Sequence, residues 1–227
     1  MKTLIPALFC LLMASTGLAQ HDKTPPDFKK MEQVIADQQS PYYYPVLLKR
    51  YKDNDTSLTD NEYYYLYYGF SFQNSYSPYG RSPLEEDIKK ASEKDDTDKM
   101  IELEKKLLNQ FPFNLRDLYA LEQLYKRKGD TVNAAIYESK LINVGRAIYS
   151  TGDGQTDTTA MYVISVDHEY DLIELFGFEF GGTQALIQKA GHSMDKMQLK
   201  KNQEGIEYLY FNVDRLFAAF LKPGKKN

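Results

Sequence analysis

The sequence predicts an α+β protein, with antiparallel helical hairpins in the N-terminal part packed against a small antiparallel sheet and a terminal helix in the C-terminal part. Three observations carry this. Apolar residues recur at helical spacing from Phe28 to about Tyr149. The character then changes at STGDGQTDTT (150–159), a run of turn-forming glycine and aspartate. Beyond it, β-branched and aromatic residues gather in short runs separated by turns, as in IEYLYFNV.

In chain order, MKTLIPALFCLLMASTGLAQ comes first, with a basic Lys2, an apolar run from Leu4 to Met13 and a small-residue end at Gly17 to Ala19. This is the layout of a secretory signal peptide spanning 1–19, cleaved after Ala19. The apolar run is shorter than the ~20 residues of a membrane-spanning helix. Cys10 leaves an acylated lipoprotein as the alternative, opposed by the bulky Phe9 before it. The expectation is export to the periplasm or cell exterior without a membrane anchor. Cleavage removes the one cysteine, so no disulfide or thiol chemistry remains. It leaves 27 basic residues against 32 acidic ones. A mildly acidic chain with no basic block argues against nucleic acid as a partner.

Residues 20–27 read as a flexible leader. Phe28, Met31, Val34 and Ile35 then recur at helical spacing. Next comes YYYPVLLKRY, where Pro45 is tolerated only in a first helical turn. After the turn KDNDTSL, Thr59 and Glu62 have capping-box spacing and open a tyrosine-rich helix, NEYYYLYYGF. Tyr63, Leu66, Tyr67 and Phe70 share one face of it and are assigned to the core. Tyr64, Tyr65 and Tyr68 point elsewhere. With Tyr76 and Tyr79 they are the candidate ligand-binding residues, the competing reading being a seam between the helical and sheet halves.

Helices are expected over 84–94 and 98–111. In the segment from Phe111 to Tyr149, Leu118, Leu121, Tyr125, Gly129, Ala134 and Leu141 fall at fixed positions of a 34-residue frame, and Pro112 marks the end of a preceding unit. Gly129 would close a helix and Ala134 would let two helices approach. This resembles a tetratricopeptide (TPR-like) hairpin at about 84–149, with a fainter copy carried by Leu84, Met100 and Leu107. Glu122, Glu138 and Arg146 depart from the pattern. Fewer than three such repeats rarely stand alone, so the C-terminal part is expected to cap them. The helical region is thus 28–149 and the α+β region 150–227. In the latter, AMYVISVD reads as a strand and EYDLIELFGFEF as a short helix stopped by Gly177 and followed by a strand. TQALIQ and DKMQLK are further strands, a turn at 202–205 leads into IEYLYFNV, and DRLFAAFLK is a helix.

Chemistry is sparse. His168-Glu169 would need a histidine at position 172 to make a zinc-protease helix, and that residue is Leu172. Asp153, Gln155 and Asp157 alternate like a calcium loop, but Thr158 and Ile164 replace its glycine and glutamate anchors. No nucleophile elbow or phosphate-binding glycine loop is present. No metal and no cofactor are expected. Asp153, His168 and Glu169 are the weak catalytic candidates.

Three ordered stretches, YYYPVLLKRYKDNDTSLTDNEYYYLYYGF, STGDGQTDTTAMYVISVDHEYDLI and NQEGIEYLYFNV, resemble a family of exported Bacteroidota proteins catalogued as a domain of unknown function (four-nine-one-nine). The resemblance runs from about Met31 to Phe217. It implies an exported bacterial protein and carries over no catalytic residue. The first functional expectation is a non-catalytic binding protein taking a protein, peptide or glycan. A hydrolase acting on cell-wall or glycan material is the alternative, and a structural role in a homo-oligomer is the third reading.

Overall fold

A computed structural model describes residues 23–80 and 82–220. The expected signal peptide lies outside them. Among the described residues the chain is α+β, with helices α1 to α7 first, then a four-stranded sheet interrupted by α8 and followed by α9. It divides into two compact units. One comprises residues 32–145, and the other comprises 146–220 together with 23–31. The division falls inside α7, a few residues before the composition changes. No described helix is long and apolar enough to cross a membrane.

In the helical unit, α1 (Phe28–Ala36) is followed by α2 (Tyr44–Lys52), which takes Pro45 in its first turn as expected. The capping box of α3 (Asp60–Phe70) is formed. Thr59 Oγ1 accepts from the Glu62 N–H at 3.3 Å, and the Glu62 carboxylate accepts from the Thr59 N–H at 2.7 Å. Arg50 reaches from α2 to both Asp55 and Glu62. Thr59→Ala removes one acceptor of this box and is expected to cost about 1 kcal/mol in urea unfolding. An unchanged midpoint would mean that water or Arg50 holds the helix start instead. Gly69 acts as a packing notch, because a Cβ there would stand 2.9 Å from the Tyr44 ring.

Further helices are α4 (Leu84–Glu93), α5 (Thr97–Gln110), α6 (Leu115–Arg127) and α7 (Thr131–Tyr149). Asp96 caps α5 and Asn114 caps α6 by accepting first-turn N–H groups. Ala91, Met100 and Leu103 form an apolar cluster between α4 and α5, to which α6 adds Leu124. Gly129 ends the α6 hairpin at φ 75°, a backbone that favours glycine. Tyr125 on α6 stacks on Tyr137 on α7 at 5.6 Å, and such large rings between two helices hold their backbones apart. Lys126 sits between Glu122 and Glu138, the residues that break the repeat pattern.

The second unit begins with an anchored leader. Lys23 pairs with Asp153 at 3.1 Å and lies 4.1 Å over the Tyr149 ring, while the Thr24 N–H donates to the Ser150 carbonyl. Of the residues read as a flexible leader, Lys23 and Thr24 make these contacts. Next come a 3-10 turn at Asp157–Thr159, β1 (Met161–Tyr162), α8 (Asp167–Leu175), β2 (Phe180–Lys189), β3 (His192–Leu199), β4 (Tyr208–Asn212) and α9 (Asp214–Phe220). The strand order is β1-β4-β3-β2. The sheet is mixed rather than wholly antiparallel, because β1 pairs with β4 in parallel. AMYVISVD contributes only two paired residues before the chain turns into α8. Gly177, at φ 81°, follows α8 as expected. The core of this unit holds Met161, Val163, Ile164, Leu172, Ile173, Met197, Leu209 and Phe211.

Candidate functional site

The tyrosine-rich helix sorts its rings by direction. Tyr63, Leu66, Tyr67 and Phe70 are buried, and Phe113 packs against Tyr67 and Phe70. The second set divides. Tyr68 is fully buried at 0 % exposure, its ring 4.8 Å from Tyr67, and Tyr76 is buried at 4 % beside Phe70. These two are core residues, their rings covered by neighbouring side chains. Tyr64 and Tyr65 are half-buried, and Tyr79 is 52 % exposed.

One partner was missed by sequence reasoning. Tyr42, in the turn before α2, stacks on Tyr65 with ring centroids 4.0 Å apart and planes 19° from parallel. Tyr64 stands edge-on to Tyr65 at 5.7 Å and to Tyr68 at 4.9 Å. The result is a short ladder of half-exposed rings, Tyr42, Tyr65 and Tyr64, founded on the buried Tyr68. Burial, and then Tyr42, raises the Tyr65 hydroxyl above its ordinary value, so it stays a neutral donor at physiological pH. Such rings offer flat apolar contact with a polar tip and lose little side-chain entropy on binding.

Beneath the surface of the same unit lies Lys140, 8 % exposed. Its ammonium donates to Asn54 Oδ1 at 2.5 Å and lies over the rings of Tyr51 (4.4 Å) and Tyr137 (5.6 Å). Burial lowers its pKa to about 8. No motif marked it, because a single lysine on a helix says nothing about which side will be covered. The folded chain releases this proton near pH 8 and the unfolded chain near 10.5, so wild-type stability should gain a rising contribution between those values. Lys140→Met should lose that rise, as measured by urea midpoints at pH 8 and 10. An unaltered slope would place the lysine in solvent.

Two of the catalytic candidates, Asp153 and Glu169, have different neighbours. Asp153 accepts from Thr159 Oγ1 at 2.6 Å, from the Gln155 N–H at 3.1 Å and from Lys23. Burial opposes its ionisation, but these donors outweigh burial and hold the carboxyl below its ordinary range, as befits an acceptor that ties a turn together. His168 is buried on α8. Glu169, next on the helix and so turned away by about 100°, is fully buried with both oxygens sealed from solvent. Burial first, and then the neighbouring carboxylates Asp195 and Asp167, push its pKa up to about 9.

Asp195 sits on the core-facing side of β3 and accepts from Gln184 Nε2 of β2 at 2.7 Å, while Gln184 Oε1 accepts from the Tyr170 hydroxyl at 2.6 Å. Glu169 is covered, whereas Asp195 is 9 % exposed and its partner Gln184 lies at the surface. Asp195 and Gln184 carried no sequence signal, since their partners are distant along the chain. Among the described residues, no group of three or more His, Cys, Asp or Glu side chains is placed to hold a metal ion.

The family described as Domain of unknown function (DUF4919) matches residues 29–222. No curated protein and no solved structure matches the chain.

Proposed function

The chain belongs to the family described as Domain of unknown function (DUF4919), and on that premise we propose that it is an exported, non-catalytic binding protein of the bacterial periplasm or cell exterior. The observation that carries this reading is the half-exposed ladder of Tyr42, Tyr65 and Tyr64 standing on a rigid aromatic core. Rings locked from beneath are pre-organised, which lowers the entropic cost of association. The partner is an unidentified protein, peptide or glycan. The absence of tryptophan from the sequence favours a peptide over a sugar, because tryptophan offers the larger stacking face. A TPR-like reading of residues 84–149 fits the same role, since helical hairpins of that kind present surfaces to peptides.

The hydrolase reading has less support. Asp153 is engaged by the donors of its own turn, and Glu169 is buried.

The test uses purified protein as bait in extracts of the bacterial envelope, comparing wild type with a Tyr42→Ala/Tyr65→Ala double variant. Tyr68 is left intact because it belongs to the core. Partners held by the wild type should be lost from the variant while its melting temperature falls by only a few degrees. Identical partner sets, or none above background, would overturn the reading.

A further inference from the structure

The sheet ends on β2, whose outer edge pairs with no strand among the described residues. β2 is exposed along almost its whole length, with Leu186 at 53 %. The directions of its backbone groups follow from the hairpin. Ala190 and Gly191, at φ 51° and 83°, form a two-residue turn, so Lys189 and His192 close it as a hydrogen-bonded pair. The regular register from Gln184 to Lys189 then turns the N–H and C=O groups of Ala185, Ile187 and Lys189 toward β3. Those of Gln184, Leu186 and Gln188 point outward.

Natural sheets protect such edges with charge, proline or a bulge. The stretch TQALIQ (183–188) contains neither charge nor proline. A bulge is present, in the register shift between Phe180 and Gln184 with Gly182 at φ 95°, but it blunts only the far end. The straight remainder pairs with no strand among the described residues.

We propose that a second copy of this chain docks here, its β2 pairing antiparallel with this one about a two-fold axis through Leu186. In that register Leu186 faces its own counterpart, Ala185 faces Ile187, Gln184 faces Gln188, and Lys189 faces Thr183. Apolar residues meet apolar ones at the centre, and the uncharged positions Gln184 and Gln188 face each other. The two Lys189 ammonium groups lie at opposite ends of the ladder, so no like charges oppose each other. The three outward residues would exchange about six backbone hydrogen bonds, and the exposed Leu186 would be covered. This self-matching is what selects a second copy over a foreign strand. Two four-stranded sheets would become one continuous sheet of eight.

Sedimentation equilibrium of the purified chain over about 1–100 µM tests this, a range that brackets micromolar self-association. The wild type should dimerise. Leu186→Lys and Leu186→Glu each place like charges face to face, and each should weaken dimerisation about tenfold or more. Mixed one to one, the two variants should pair again. Leu186→Pro deletes an outward N–H without touching the β3 ladder, and should also leave a monomer. Circular dichroism confirms that each variant is folded. A wild type that stays monomeric at 100 µM, or a dimer indifferent to Leu186→Lys, overturns the proposal. So does a monomer that instead captures an extended peptide on β2.

Discussion

Glu169→Gln should make the protein progressively more stable than the wild type as pH rises from about 5 to 9. The folded chain keeps the Glu169 proton up to about pH 9, whereas the unfolded chain releases it near 4.5. Between those values the unfolded state binds fewer protons, so wild-type unfolding becomes easier with rising pH. The stabilisation is fully present below pH 4.5 and is lost as pH climbs through 9. The slope is about 1.4 kcal/mol per pH unit at most. Glutamine has nearly the shape of the neutral acid and keeps a donor for Asp195, but it cannot ionise. Glu104, raised to about 7 by burial, adds a similar slope at lower pH in both proteins and cancels in the comparison. Urea midpoints at pH 5, 7 and 9 measure the difference. A constant offset between variant and wild type would show that Glu169 is already ionised in the fold.

Tyr67→Ala should be the most damaging single change in the helical unit, at about 3–5 kcal/mol. Its ring is fully buried, edge-on to Tyr68 at 4.8 Å and to Phe113 at 6.2 Å. Truncation removes a large apolar area and leaves a cavity that the rigid neighbouring rings cannot collapse to fill. Tyr64→Ala, one turn earlier and half-buried, should cost about 1 kcal/mol or less. Chemical denaturation of the two variants side by side gives the contrast. Equal losses would mean that Tyr64 is as deeply set as Tyr67, and the surface ladder would lose its distinction from the core.

That contrast bears on how much of the candidate site was legible in the sequence. Helical spacing placed Tyr63, Tyr67 and Phe70 on the buried face, because those positions share one side of a helix whatever it packs against. The same wheel put Tyr68 on the other side, yet it is fully buried. A wheel describes one helix, and burial depends on how many neighbours that helix has. Tyr42 was invisible as a site residue because its stack on Tyr65 joins a turn to a different helix.

By itself the sequence determined the α+β class, the capping box at Thr59, the proline-compatible start of α2, the stop at Gly177 and the strands flanking the turn at Ala190. These are local matters: a dihedral preference, a hydroxyl three residues from a carboxylate, an alternation of two or of three and a half. The tertiary structure alone decided that β1 joins β4 in parallel, that Glu169 is buried and holds its proton, that Lys140 lies against two tyrosine rings, and that the outer edge of β2 pairs with no strand among the described residues. Each of those depends on groups far apart along the chain being desolvated or left uncovered together, and the free energy of a charge or an unpaired amide is set by what surrounds it.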